Sequence, residues 1–209
     1  NEYRAMWKMG GQPLVQRLAD KSHTWSDLQK LIPNTIVQQL LGYTFTCPDM
    51  IGGGNFISFL PGSKIDQKLI VRSAQVHALM PMMQFSVAPW RILDSQHLEA
   101  VKDAVKLRQQ MMPKIMEAMR VAARTGQPAL RLLSYNYPGK GYESIKDEFL
   151  MGDEILVAPV VKESDERSIV LPPGNWYYQN KKWKGGRAYQ IKVALNELPG
   201  FINTQNNKR

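Results

Sequence analysis

Three long stretches of the chain carry apolar residues at the spacing of a helical face. In "TWSDLQKLIPNTIVQQLLGY" (24–43), Leu28, Leu31, Ile32, Ile36, Leu40 and Leu41 fall on one side, Thr24 or Ser26 can cap the N-terminus, and Gly42 stops the run. Pro33 lies inside it, and the missing N–H predicts a kink or a restart. In "DQKLIVRSAQVHALM" (66–80), Leu69, Ile70, Ser73, Val76 and Leu79 or Met80 share a face. The third helix is predicted from about Ser95 to Thr125, with Leu98, Val101, Val105, Met112, Ile115, Met116 and Met119 in register. Pro113 is expected to break it and Gly126 to cap its C-terminus.

Short apolar runs separate these helices: "PLVQRLAD", "TFTCPD", "MMQFSV" and "PALRLLSY". Each precedes a polar or Gly/Pro loop. Strands alternating with helices predict parallel βα units, four strands in all. After Pro138 the pattern changes to β-branched and aromatic runs, "GDEILVAPVV", "RSIVLPP" and "NWYYQNKKWKGGRAYQIKVAL", punctuated by Pro-Pro-Gly and Gly-Gly. That predicts an antiparallel β module, with the boundary near 138–150.

Charge and composition narrow the function classes only a little. No run approaches the ~20 apolar residues of a membrane span. The start, "NEYRAMWKMGG", has neither an initiator Met nor the regions of a signal peptide, and is expected to be a cleaved end or a cut through a longer chain. One cysteine, Cys47, excludes an internal disulfide and a thiolate metal cluster. The net charge of +9 raises a nucleic-acid partner, but the only clear basic cluster, "NKKWKGGR" at 180–187, is explained more simply as a surface hairpin, so that reading ranks last. The sequence has no GxSxG, P-loop or HExxH pattern, and His23, His77 and His97 lack metal-ligand spacing; no cofactor is expected. His77 reads as packed on its helix, the methionines as core filling, and Trp176, Tyr177, Tyr178 and Trp183 as hairpin packing rather than a sugar platform.

Two carboxylates stand where βα-barrel enzymes place their chemistry, at the ends of expected parallel strands: Asp20 in "VQRLADKSHTW" and Asp49 in "TCPDMIGGG". Either alone would read as a helix N-cap. The three glycines after Asp49 suggest phosphate, but "GGGNFISFLPGS" leads into more loop rather than a helix N-terminus, and Asp49 would repel the anion.

From these segments onward the sequence resembles glycoside hydrolase family 31, the retaining α-glycosidases, over nearly its whole length. "RLADKSHTW" is similar to the family's acid/base segment, which implies that role for Asp20. Arg4 stands sixteen residues earlier, where the family has a sugar-contacting arginine. "LLGYTFTCPDMIGGG" resembles the strand that ends in the sugar-binding Asp, here Asp49. Trp25 follows Asp20 as an aromatic expected beside the sugar. "LIVRSAQVHALMPMMQFSVAPW", "KLRQQMMPKIMEAMRVAARTGQPALRLLSYNYP", "KDEFLMGDEILVAPVV" and "RSIVLPPGNWYY" resemble the following helices, the last barrel strand and the start of the adjoining β-sandwich.

The resemblance implies an α/β fold: the C-terminal half of a (β/α)8 barrel over 1–140 and part of an antiparallel β-sandwich over 141–209. It implies hydrolysis of terminal α-glycosidic bonds by double displacement, with an oligosaccharide or glycoside as substrate. Gln84 and Ser86 stand where many members have Arg and His. They are plausible hydroxyl contacts or ordinary strand-end polar residues, and the wording is closer to the myogenesis-regulating glycosidase branch. This opens α-galactosides as well as α-glucosides. The family's nucleophile lies on an earlier strand, so an N-terminal portion of the same protein is the expected partner. A secreted or endomembrane setting fits better than the cytoplasm. Asp20 must start protonated to act as an acid, so its pKa is expected to be raised. The competing reading is a non-catalytic carbohydrate-binding or structural piece with a degenerate site.

Overall fold

The computed structural model describes residues 2–4, 8–54, 56–60 and 62–204; parts of "NEYRAMWKMGG" and of the Gly-rich loop, and 205–209 at the end of the β-rich region, lie outside the described residues. The chain begins in a parallel sheet of order β1 (Glu2–Tyr3), β2 (Val15–Arg17), β3 (Phe45–Cys47). β1 was not expected from the sequence. Beyond β3, Ile51 forms one parallel bridge to Phe85, with Ile51 N donating to Gln84 O at 2.8 Å and Ser86 N to Ile51 O at 2.9 Å. "MMQFSV" therefore contributes a bridge rather than a strand. Pro48 has no N–H to extend the β3 ladder, and Pro81 and Pro89 close the extended piece at both ends.

α1 (Trp25–Leu40) connects β2 to β3. Thr24 caps it, accepting from Asp27 N at 3.2 Å, and Leu28, Leu31, Ile32 and Ile36 are buried. The helix runs through Pro33 without interruption. The bond lost is to the carbonyl of Gln29, which is exposed and can be served by water. α2 (Gln67–Ala78) is capped by Asp66 and is buried at every position from Leu69 to its end. α3 (Ser95–Thr125) is likewise unbroken at Pro113, because Pro113 and Gln109 lie on its solvent side. It ends at Gly126 in the left-handed region, φ 73°, as expected. Its buried positions include Ala100, Ala104 and Ala122, so small residues as well as the predicted large ones set its packing against α2, while Met116 is exposed.

"PALRLLSY" departs from the expected parallel strand. β4 (Leu130–Arg131) pairs antiparallel with β5 (Phe149–Met151), and α4 (Leu133–Asn136) follows at once. The buried Arg131 guanidinium donates to Pro128 O and to Asp153 Oδ1 beyond β5, which fixes this register. Then come β6 (Ile155–Val157), β7 (Glu166–Leu171), β8 (Asn175–Tyr178), β9 (Lys181–Lys184), β10 (Arg187–Lys192) and β11 (Gly200–Asn203). They form a sheet of order β4-β5-β6-β11-β8-β9 and a pair β10-β7. Leu150, Leu156, Ile169, Leu171, Trp176 and Phe201 from both sheets share one core. Trp176 is fully buried and Tyr178 and Trp183 pack against Phe201, which bears out hairpin packing for these three, while Tyr177 is exposed. Gln179 and Asn180, at φ 50° and 57°, make the tight turn between β8 and β9. The basic cluster lies on β9, an edge strand with exposed lysines.

Two arginines, one half-buried and one fully buried, hold the parallel region in place. Arg108 of α3 donates to Ala78 O, Met80 O and Pro81 O at 3.0, 2.6 and 2.9 Å, satisfying carbonyls at the C-terminal end of α2. Arg72 of α2, fully buried, donates to Val193 O and Ala194 O, each at 3.1 Å, and so ties α2 to the segment between β10 and β11.

Candidate active site

The ends of β1, β2 and β3 and the Phe85 bridge all open on one side, and the polar side chains gather there. Arg4 follows β1 and Asp20 lies three residues past β2. Asp49 lies two past β3, and Gln84 and Ser86 flank the bridge. Arg4 Nη2 donates to Asp20 Oδ1 at 2.7 Å, and its Nη1 donates to Leu18 O. Arg17, the last residue of β2, donates from Nη1 both to Asp20 Oδ1 at 2.8 Å and to Asp49 Oδ1 at 3.0 Å.

Asp49 is fully buried. Its Oδ2 accepts from Lys21 N at 2.9 Å and lies 3.5 Å from Lys21 Nζ, which also donates to Met50 O at 2.9 Å. A buried carboxylate needs such partners. Burial pushes the Lys21 pKa down, with Asp49 opposing that shift. Behind the site, His77 is fully buried between Ser73 O and Asp49 O, at 2.6 and 2.9 Å from its two ring nitrogens. Burial, reinforced by Lys21, lowers its pKa to about 4 against these two acceptors, and the ring is packed, as expected.

Asp20 does not meet its expectation of a raised pKa. Hydrogen bonds from Arg4 and then Arg17 hold it below the usual carboxylate range. Half of its side chain is exposed, so the desolvation that would favour the neutral acid is slight.

A cleft of about 290 Å³ opens beside these groups, lined among others by Arg17, Asp20, Met50, Phe59, Ser86 and Val87. Gly54 lets the loop close over it. At φ 84°, a Cβ there would stand 2.2 Å from Lys21 O. The structure thus brings Arg4, Asp20, Asp49 and Ser86 to one place. Gln84 is adjacent, with Oε1 accepting weakly from Cys47 Sγ at 3.9 Å. Trp25 is turned elsewhere. Its ring packs on the apolar core, and Nε1 donates at 3.0 Å to Asp66, the cap of α2. His23 bonds Gly53 O and meets Phe59 edge-on, at one wall of a separate small pocket. Among the described residues no cluster of three or more His, Cys, Asp or Glu is placed to hold a metal.

Sequence reading missed Arg17. Its signal was a cation at the end of a strand, three residues before one key carboxylate and in register with Cys47, two before the other.

The model of the glycosyl hydrolases family 31 TIM-barrel domain matches residues 10–118, and that of the family 31 C-terminal domain matches 126–206. The chain belongs to glycoside hydrolase family 31. Its parallel arc with α1–α3 is the C-terminal half of the family's (β/α)8 barrel, and its antiparallel sheets are part of the β-sandwich. Mouse myogenesis-regulating glycosidase is 34% identical over 193 residues, 88% of this chain and 26% of that protein. Alpha-glucosidase 2 of Bacillus thermoamyloliquefaciens is 30% identical over 90% of this chain and 25% of its own. Two solved structures superpose closely: a Flavobacterium johnsoniae family 31 dextranase complexed with glucose and a Listeria monocytogenes cycloalternan-forming enzyme in complex with a pentasaccharide substrate. The first has a TM-score of 0.79 and 23% identity over 92% of this chain and 28% of its own. The second has a TM-score of 0.80 and 21% identity over 91% and 19%. The chain spans about a quarter of the length of the curated relatives it matches.

Proposed function

We propose that the protein to which this chain belongs hydrolyses terminal α-glycosidic bonds, of α-glucoside or α-galactoside type, with retention of configuration. The observation that carries the proposal is the set Arg4, Asp20 and Asp49 gathered at the C-terminal ends of adjacent parallel strands. Asp20 is the acid/base. Arg4, Asp49, Gln84 and Ser86 are substrate contacts, with Asp49 accepting from sugar hydroxyls.

A retaining glycosidase needs two carboxyl groups about 5–5.5 Å apart. Asp49 is committed to Arg17 and Lys21, so the nucleophile is supplied by an N-terminal portion of the same protein, on a barrel strand outside this chain. Its negative charge, and the water it displaces, act on Asp20 in the direction opposite to Arg4 and Arg17. The nucleophile attacks the anomeric carbon while protonated Asp20 donates to the departing oxygen. Asp20 then takes a proton from the incoming water.

Aryl α-glucosides and α-galactosides, assayed with the whole protein, decide the sugar. Asp20→Asn is expected to remove most turnover of substrates with poor leaving groups and to spare the first step for activated aryl glycosides. Unchanged activity on both classes would sink the assignment. The lowered pKa of Asp20 favours a second reading, a carbohydrate-binding piece without turnover; it predicts sugar binding that survives Asp20→Asn and no hydrolysis of either aryl glycoside.

A further inference from the structure

We propose that Arg17 is a positioning residue, tying the candidate acid/base to the buried sugar-binding carboxylate through a single guanidinium nitrogen. The roles of the two carboxylates rest on the reading above; the tie rests on geometry. Asp20 sits on a loop with half its side chain exposed, and left alone it would sample several rotamers. Asp49 is fixed, buried with Lys21 N on one oxygen and Arg17 on the other. Arg17 links them because the β2–β3 register places it opposite Cys47, and both carboxylates follow within three residues. Only 15% of its side chain is exposed. Arg4 also bonds Asp20, but half of its side chain is exposed. Arg17 is the anchored partner of the two.

One cation is therefore shared by two carboxylates. When Asp20 takes up a proton, its hold on Arg17 weakens and the Arg17–Asp49 pair, at 3.0 Å, remains. When Asp20 is ionised, Arg17 draws it toward Asp49 and holds its lone pairs in one direction. Proton cycling at one residue is thereby coupled to sugar binding at the other. The charged groups around Asp20 are Arg4 beyond β1, Arg17 on β2, Asp49 beyond β3, neighbouring Lys21 directed at Asp49, and Asp27 and Lys30 of α1 across an outer cleft. The hydrogen bonds that lower the Asp20 pKa come from Arg4 and then Arg17.

The test is a carbon-13 NMR titration of the aspartate carboxyls in the whole protein, with Asp20 assigned through Asp20→Asn. Arg17→Met is expected to raise the Asp20 midpoint by about one pH unit, the lower end of what a neighbouring opposite charge contributes, since Arg4 remains. Arg17→Lys is expected to recover part of that shift, because its ammonium supplies the charge without the planar fork. If Arg17→Met does not fold, Arg17→Gln carries the same test, removing the charge and keeping a donor. An Asp20 midpoint that stays in place in the folded variant overturns the proposal. The titration needs no turnover. A shift in a protein that hydrolyses no glycoside supports the tie and sinks the acid/base reading; an active enzyme whose Asp20 ignores Arg17 does the reverse.

Discussion

Arg72 is a fully buried side chain through which α2 holds the sandwich, beside Gln75, which donates to Leu195 O at 2.7 Å, and its removal is expected to be costly. Its side chain is fully buried in α2. Nη1 donates to Gln75 Oε1 at 2.9 Å, Ala194 O at 3.1 Å and Glu197 O at 3.3 Å; Nη2 donates to Val193 O at 3.1 Å and lies 3.5 Å from Asp165 Oδ1. Arg72→Met keeps most of the volume and removes every donor. Val193 and Gln75 are buried, and each acceptor left unpaired there costs about 1–3 kcal/mol. Ala194 and Glu197 are more open, so water restores part of what their carbonyls lose. The guanidinium itself is disfavoured by desolvation, and deleting it recovers some of that penalty. The net loss is about 2–4 kcal/mol, a fall of roughly 5–15 °C in Tm for a chain of this size. Circular dichroism melts of the two proteins measure it, and amide hydrogen exchange should rise first in the 193–197 segment. A Tm within about 2 °C of the parent, with unchanged exchange there, would refute the clamp.

Four further substitutions probe other contacts of the fold. Arg108→Met strips the donors from Ala78 O, Met80 O and Pro81 O and should destabilise the chain by about 2–4 kcal/mol in urea titration; a loss below about 1 kcal/mol would mean that water replaces the cap. Glu148 is buried and its pKa is raised from 4.5 to about 7, chiefly by desolvation, with Arg167 opposing. The folded state holds this proton more tightly than the unfolded one, so the stabilisation is full below about 4.5 and is lost as pH rises through about 7, on the order of 3 kcal/mol. Glu148→Gln should flatten the decline in stability across that window, and an unaltered slope would exclude Glu148 as its source. Gly54→Ala places a Cβ 2.2 Å from Lys21 O at φ 84° and should disturb the Lys21–Asp49 pairing, costing about 2 kcal/mol or more. Gly62→Ala, also at positive φ but with open space around it, should cost only about 1 kcal/mol.

Much of the candidate site was legible because its carboxylates sit at strand ends, where a short apolar run stops at an aspartate. Asp20 and Asp49 could be found that way, and the order of segments supplied the barrel and sandwich. The helices were legible in period and caps, Thr24 and Gly126 among them. The proline breaks failed because Pro33 and Pro113 face outward, where water can meet the freed carbonyl, and face is not encoded by proline alone. "PALRLLSY" reads as a parallel strand because its apolar run carries no sign of its partner; the signal is Arg131, which the fold buries with a bond to Asp153. Arg17, Arg72 and Arg108 went unread for a related reason. An arginine within or beside an apolar run looks like a surface interruption until tertiary contacts supply its acceptors. Trp25 reads as a neighbour of the sugar from its proximity to Asp20 in sequence; in the fold its Nε1 donates to Asp66.

The central claim is that Asp20 serves a retaining α-glycosidase site completed outside this chain. The most direct measurement is proton NMR of the sugar released as the whole protein acts on aryl α-glucoside and α-galactoside. The account predicts that the α-anomer appears first and mutarotates afterwards, and that Asp20→Ala forms the α-glycosyl azide when azide is added to an activated substrate. A β-anomer appearing first, or an Asp20→Ala protein as fast as the parent on every substrate and indifferent to azide, would contradict it.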